Sequence, residues 1–264
     1  MPRLALLLLL VLAGVAPAWA VPAPTGNHAD IIINAGSTSG SGTMTATTGN
    51  LIVCTYRVDT SSPAGSVGSI SDSAGNTYTS ATGQLLEGNY NRSSQVYYAN
   101  NITGGSPLTI TVNTLLSPGG FAICSEFSGV ATASPLDVHA DGTMPINPGT
   151  GTDAVTSGAA TTTTSGELIY TSFVGFGGTG SASQAVGTGF TRVHISPGGA
   201  GGTGAGTLDS AYKVQSSSGS TAGTWTLGSS DSSTVASAQM ATFKATGAAP
   251  PPGAATLPLL GVGR

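Results

Sequence analysis

At 264 residues the chain is long enough for one large β-sandwich or two small domains, and either size buries a real core. Only 7% of the residues are charged, but β-branched and aromatic runs recur throughout, which sets the chain apart from disordered sequences of high net charge. A formal charge of −4, thinly spread, provides no basic face for phosphate and argues against nucleic acid as a partner.

The first twenty residues have the layout of a signal peptide: Arg3, an apolar run from Leu4 to Val15, and Ala18-Trp19-Ala20 as the cleavage site. The run is shorter than the ~20 residues that span a bilayer, so no stable transmembrane segment is expected in the mature chain. The expectation is a secreted or cell-surface protein beginning near Val21. Val21 to Asp30, with Pro22 and Pro24, reads as a linker into a domain over 31–247.

Strands are expected at Ile31 to Asn34, Met44 to Thr48 and, most clearly, Leu51 to Val58. Alternation in the last gives one face of Leu51, Val53, Thr55 and Arg57, and a more apolar one of Ile52, Cys54, Tyr56 and Val58 that should point into the core. Gly36 to Gly42 reads as a loop, and Ser71 to Tyr78 as a turn rich in Asp, Asn and Gly. Strands follow at Gln95 to Ile102, Leu108 to Asn113 and Phe121 to Phe127, with an edge strand at Leu136 to Ala140. Beyond a Pro/Gly connection around Pro145 to Gly151, strands are expected at Ala154 to Ala160, Glu167 to Val174, Phe190 to Ile195, Thr207 to Val214, Thr224 to Leu227 and Val235 to Ala245. Sustained helical periodicity is absent.

The order of signals repeats. Gly49-Asn50-Leu51-Ile52 returns 117 residues later as Gly166-Glu167-Leu168-Ile169, Tyr97 returns after 115 as Tyr212, and Phe127 after 116 as Phe243. The expected fold is all-β: an antiparallel jelly-roll-like β-sandwich with two pseudo-equivalent halves. The alternative is two tandem immunoglobulin-like domains.

Cys54 and Cys124 are the only cysteines, both in strand signals of an exported chain, and a disulfide closing a loop of 70 residues is expected. Two buried free thiols are the alternative; a zinc or Cys-x-x-Cys redox site lacks the other ligands or the spacing. Asp72 and Asn76 could be calcium oxygens, but the further ligands of such a loop are missing and a plain turn is preferred. Asp137, His139 and Asp141 would share one face of an extended strand and could hold a divalent ion, although an exposed polar edge is the commoner reason for such a pattern. His28 and His194 receive no role, and no cofactor is implied.

No Gly-x-Ser-x-Gly elbow is present, and the Gly-x-Gly-x-x-Gly matches at Gly175 to Gly180 and Gly199 to Gly204 lack a following helix. Sugar hydrolysis needs two facing carboxylates, and Glu87, Glu126 and Glu167 are the only glutamates. Glu126, on the Cys124 face, is expected to be structural, and the chain is read as no enzyme. The functional expectation is non-catalytic binding of an extracellular polysaccharide or another cell-surface polymer on Tyr78, Tyr90, Tyr97, Tyr98 and Trp225. The alternative is a structural or adhesive envelope or matrix protein without a dedicated ligand site.

Two stretches carry resemblances. Gly-Asn-Leu-Ile-Val at 49–53, Asp-Ser-Ala-Gly-Asn-Thr-Tyr at 72–78, Val-Tyr-Tyr-Ala-Asn-Asn-Ile at 96–102 and Glu-Phe-Ser-Gly-Val at 126–130 resemble a secreted bacterial β-sandwich module, which implies a fold and no chemistry. The tail 248–264, with Pro250-Pro251-Pro252, the apolar run Leu257 to Val262 and Arg264, resembles the beginning of a PEP-CTERM sorting signal. It departs from that pattern in having no Glu between the prolines, a short apolar run and one arginine.

Overall fold

The computed structural model describes residues 20–59, 67–87, 92–115, 119–142, 154–176, 184–196, 206–227 and 235–247. Residues 1–19, Tyr90, the Pro145 to Gly151 connection and the tail from Ala248 lie outside them, and with them the expected signal peptide and sorting tail. The described residues form antiparallel β-strands and no helix.

Two halves repeat one topology. The first contains β1 (Ala23–Ile33), β2 (Ser39–Ala46), β3 (Leu51–Asp59), β4 (Val67–Asp72), β5 (Thr79–Ser80), β6 (Leu85–Glu87), β7 (Arg92–Ala99), β8 (Gly105–Thr114) and β9 (Gly119–Ser128). Its large sheet runs β1-β9-β3-β7-β5, with β6 also on β7, and its small sheet runs β2-β8-β4. The second contains β10 (Leu136–Asp141), β11 (Ala154–Thr162), β12 (Glu167–Phe176), β13 (Ala185–Val186), β14 (Thr191–Ser196), β15 (Gly206–Gln215), β16 (Gly219–Thr226) and β17 (Val235–Phe243). Its large sheet runs β10-β17-β12-β15-β14 and its small sheet β11-β16-β13, the same order with β14 in the place that β5 and β6 share beside β7. The register repeats as well: Leu51 pairs with Phe127 as Leu168 pairs with Phe243. The pseudo-equivalence read from the sequence therefore extends to individual residue pairs.

The expected single sandwich of two sheets is corrected to four sheets, because each half supplies both of its own. In the first half Ile52, Cys54, Tyr56 and Val58 of β3 pack with Met44, Leu108, Ile110 and Val112 of the small sheet. In the second, Phe173, Ala211, Ala236 and Ala238 enclose Trp225 of β16. The two large sheets then meet through their other faces, where Leu51, Val53, Val96 and Phe127 pack on Leu168, Tyr170, Ala241 and Phe243. Both faces of β3 are thus buried, which explains why its sequence is a near-continuous apolar run and only weakly alternating.

Aromatic rings interlock along this seam. Phe127 lies edge-on to Tyr170 and Tyr212 at centroid separations of 6.0 and 6.2 Å, and Tyr98 lies edge-on to Phe243 at 5.4 Å. The Tyr170 hydroxyl meets Thr55 Oγ1 at 2.8 Å, and burial pushes that hydroxyl up to about 12. Arg57, also on the seam face, stacks 4.9 Å from the Phe121 ring and lies against Gly206, where a Cβ would collide with the guanidinium. Gln239 closes one end of the seam: its Nε2 donates to Thr82 Oγ1 at 2.9 Å and to the Gly83 carbonyl at 2.8 Å.

The stretch expected to be a linker is mostly strand. β1 begins at Ala23, and Pro24 stands opposite Phe127, a position proline can hold because β1 is an edge strand. The expected loop Gly36 to Gly42 overlaps β2, whose Gly40 and Gly42 let it cross against β1: a Cβ at either would strike the Ile32 or Asp30 carbonyl. β4, β5, β6 and β13 are strands that the sequence reading does not delimit, and each is only two to six residues long. Cys54 and Cys124 face each other across β3 and β9 and form the expected disulfide, with Cα atoms 4.0 Å apart. Closing that loop is worth about 2 to 4 kcal/mol on the chain-entropy account.

Phe127 belongs to the first half, and Trp225, the one tryptophan among the described residues, to the second. Phe127→Ala should cost about 3–5 kcal/mol, and Trp225 fluorescence should report that loss as a lower denaturant midpoint in a single transition. Independent halves would leave the Trp225 transition in place.

Candidate functional site

The four described residues of the expected aromatic platform do not share a face. The Tyr78 hydroxyl donates to Asp72 Oδ2 at 3.0 Å, and burial together with Asp72 raises its pKa well above that of free tyrosine. Tyr78 and Tyr97 pack on the core of the first half, whereas Tyr98 turns into the seam, as alternation on β7 requires. Trp225 is fully buried in the other half and its indole N–H donates to Thr171 Oγ1 at 3.3 Å, so it presents no surface to a ligand.

The polar motifs resolve into structural roles. Asp72 accepts the backbone N–H groups of Ala74 and Asn76 on one oxygen and the Asn76 amide and Tyr78 hydroxyl on the other. Its turn is closed by its own hydrogen bonds, which leaves no oxygen aimed at a calcium ion. Asp137 does not converge with His139 and Asp141, because a register shift separates Leu136 from His139. Asp137 instead accepts from the Thr163 backbone and hydroxyl at 2.7 and 2.6 Å, and Lys244 stands 3.5 Å away.

Glu126 is fully buried and its carboxylate is saturated. Thr25 Oγ1 and Asn27 Nδ2 each donate to Oε2 at 2.7 Å, and the Thr47 N–H and Asn50 Nδ2 donate to Oε1 at 2.6 and 2.8 Å. Burial acts to raise its pKa, but these donors outweigh it and hold the carboxyl below the usual range. The second half solves the same problem with the carboxylate moved one strand over. Thr242 occupies the position of Glu126 and Glu167 that of Asn50, and Glu167 accepts the Thr164 N–H at 2.9 Å where Glu126 accepts that of Thr47. Burial raises Glu167, whereas in neighbouring Asp137 the effect of burial is overcome by the Thr163 hydrogen bonds. Both glutamates tie the turn before the central strand to the sheet.

Asp209 is a third buried carboxyl. Arg192 Nε and Gln184 Nε2 donate to its Oδ2 at 2.8 and 3.1 Å, and Arg192 Nη2 also donates to the Gln184 carbonyl at 2.7 Å. Burial pushes this carboxyl up to about 6, against the pull of Arg192.

Two features had no counterpart in the sequence reading. One is a groove of about 470 Å³ lined by Gly189, Thr191, Tyr212, Lys213, Gln215 and Ser216, beside which the Lys213 ammonium lies 4.6 Å from the Phe190 ring. The other is a cluster in which His28 and Asp30 of β1 meet His194 of β14, so that strands from the two halves touch at the seam. A signal for it was present: His28-Ala29-Asp30 recurs as His139-Ala140-Asp141, at equivalent positions of β1 and β10. No family model, curated protein or solved structure matches this chain.

Of these carboxyls, Glu126 and Asp209 carry opposite pH signatures. Glu126 contributes stability at neutral pH that is lost on acidification, because its native pKa lies below the free value. Glu126→Gln puts an amide N–H where a donor already points. It should lower unfolding free energy by about 1–3 kcal/mol at pH 7, a gap from wild type that narrows as pH falls below the ordinary carboxylate range. Asp209 has the reverse sign: its contribution is full in acid and declines as pH rises through about 6. Asp209→Asn keeps an acceptor for Arg192 and should flatten the loss of stability between about pH 4 and pH 6, measured by urea unfolding across that range.

Proposed function

We propose that the chain is a secreted, non-catalytic structural or adhesive protein of a bacterial envelope or matrix, in which two jelly-roll modules are fused into one rigid unit. The observation that carries this reading is the seam. Leu51, Val53, Phe127, Tyr170 and Phe243, together with Tyr98, are used to fix one half on the other. Of the aromatics suited to a sugar platform, Tyr78, Tyr97 and Trp225 serve the two inner cores. Rigidity of this kind suits a spacer, because a broad seam resists bending about the connection between modules. The jelly-roll assignment rests on chain path: the order β1-β9-β3-β7 in one sheet and β2-β8-β4 in the other, matched by β10-β17-β12-β15 and β11-β16-β13, with most successive strands passing between sheets, has the pattern of paired Greek keys. Export rests on the arrangement of Arg3, Leu4 to Val15 and Ala18 to Ala20. The absence of catalysis rests on Glu126, whose oxygens are filled by four donors.

A second reading, non-catalytic binding of a glycan, is favoured by the groove beside Tyr212. Its volume falls within the range of small-ligand sites, and a tyrosine edge with an ammonium and an amide is suitable chemistry for sugar hydroxyls. The purified secreted chain applied to a glycan array separates the two. The structural reading expects no glycan to be retained. Retention that disappears in Tyr212→Ala would establish the second reading. Release of sugar from any polymer, lost in Glu126→Gln, would overturn both.

A further inference from the structure

We propose that His28, Asp30 and His194 form a binding site for one divalent transition-metal ion of the zinc class, which clips the two halves together at the edge of the seam. His194 Nε2 lies 3.0 and 3.1 Å from the two carboxylate oxygens of Asp30, and one ligand atom from each of the three residues lies within 4.8 Å of the others. Ligands held at 2.0–2.2 Å from one ion are about 3 to 3.5 Å apart, so small side-chain adjustments gather the set. The His28 and His194 rings stack with centroids 3.7 Å apart and planes 26° from parallel. An imidazole lone pair lies in the ring plane, so rotation of the exposed His28 ring is the adjustment required.

Three features distinguish this cluster from a chance meeting of surface groups. The backbone is irregular before each histidine: β1 shifts register between Pro24 and His28, and β14 between Arg192 and His194. Bulges of this kind re-aim side chains, and here two bulges on strands of different halves bring two imidazoles together beside one carboxylate. His28 Nδ1 is 3.2 Å from the Gly26 carbonyl. With its proton there, Nε2 carries the lone pair, the arrangement by which metal-binding histidines are usually oriented. The third feature is the internal comparison. At the pseudo-equivalent place His139 and Asp141 lie 3.4 Å apart, but the carboxylate of Asp141 accepts from the Gly83 N–H at 3.0 Å. The facing segment of the first half thus offers Gly83, and the other half offers His194.

Two imidazoles and one carboxylate suit zinc and its neighbours, with water completing the coordination, and do not suit calcium or magnesium, which take oxygen ligands. The ion adds no step of chemistry in this proposal. It binds only the docked arrangement, because β1 and β14 belong to different halves, and so stabilises the native chain in proportion to its occupancy.

The test uses the full secreted chain, stripped with EDTA and titrated with zinc chloride. Calorimetry should give one ion per chain, and the thermal midpoint should rise with zinc and remain unchanged with millimolar calcium. His194→Ala and Asp30→Asn should weaken binding by more than about tenfold, while His139→Ala leaves it intact. Because the chain has three histidines, ring proton resonances of the wild type give a readout that needs no variant. Zinc should shift those of His28 and His194 together and spare His139. Absence of zinc binding by the wild type, equal binding in His194→Ala, or shifts centred on His139 would each overturn the proposal.

Discussion

The burial of both faces of the two large sheets is the constraint on which the rest of the structure depends. A sheet covered on one side by its own small sheet still presents an apolar surface on the other, and here that surface carries Leu51, Val53, Val96 and Phe127. Exposed, such a patch would drive association. Covered by an equivalent sheet from the same chain, it becomes a further core between the two inner ones. The same requirement explains the small residues at the contact: Gly206 admits the Arg57 guanidinium, and Ala241 leaves room for neighbouring aromatic rings.

Around that shared constraint the two halves have diverged in how they solve identical local problems. The turn leading into the central strand needs its N–H satisfied in both, and a buried carboxylate satisfies it in both, once from β9 and once from β12. Cys54 and Cys124 have Thr171 and Met240 as their counterparts, and there Trp225 fills the space and donates to Thr171. A covalent bond in one half is thus replaced by an aromatic ring and a hydrogen bond in the other. Register persisted while side chains changed, because a one-residue slip would turn every core residue outward.

Much of the fold was legible because its signals are local. Leu51 to Val58 and Glu167 to Val174 are rich in β-branched and aromatic residues, and their repeat spacing gave the pseudo-equivalence directly. Val67 to Asp72 and Ala185 to Val186 were missed since they are short and take their strand character from partners. The number of sheets was misjudged for a related reason: alternation in β3 reports which face is more apolar, and it does not report that the weaker face is also covered. Tyr97 and Tyr98, adjacent on one strand, take opposite faces as alternation requires, but Trp225 gave no sequence sign of its depth, since a lone tryptophan on a polar strand reads the same whether it points in or out.

The histidine cluster was hidden for a different physical reason. His28 and His194 are 166 residues apart in sequence, and each sits beside a backbone irregularity that breaks the alternation by which facing side chains are inferred. Only the repeated His-Ala-Asp tripeptide linked the first of them to a structural position. Its two copies occupy edge strands of different halves, and each faces the other half across the seam. One copy meets a backbone N–H and the other an imidazole. A duplicated fold thus offers one location twice, and a single residue opposite, Gly83 or His194, decides whether that location is filled by packing alone or by a set of groups able to take an ion.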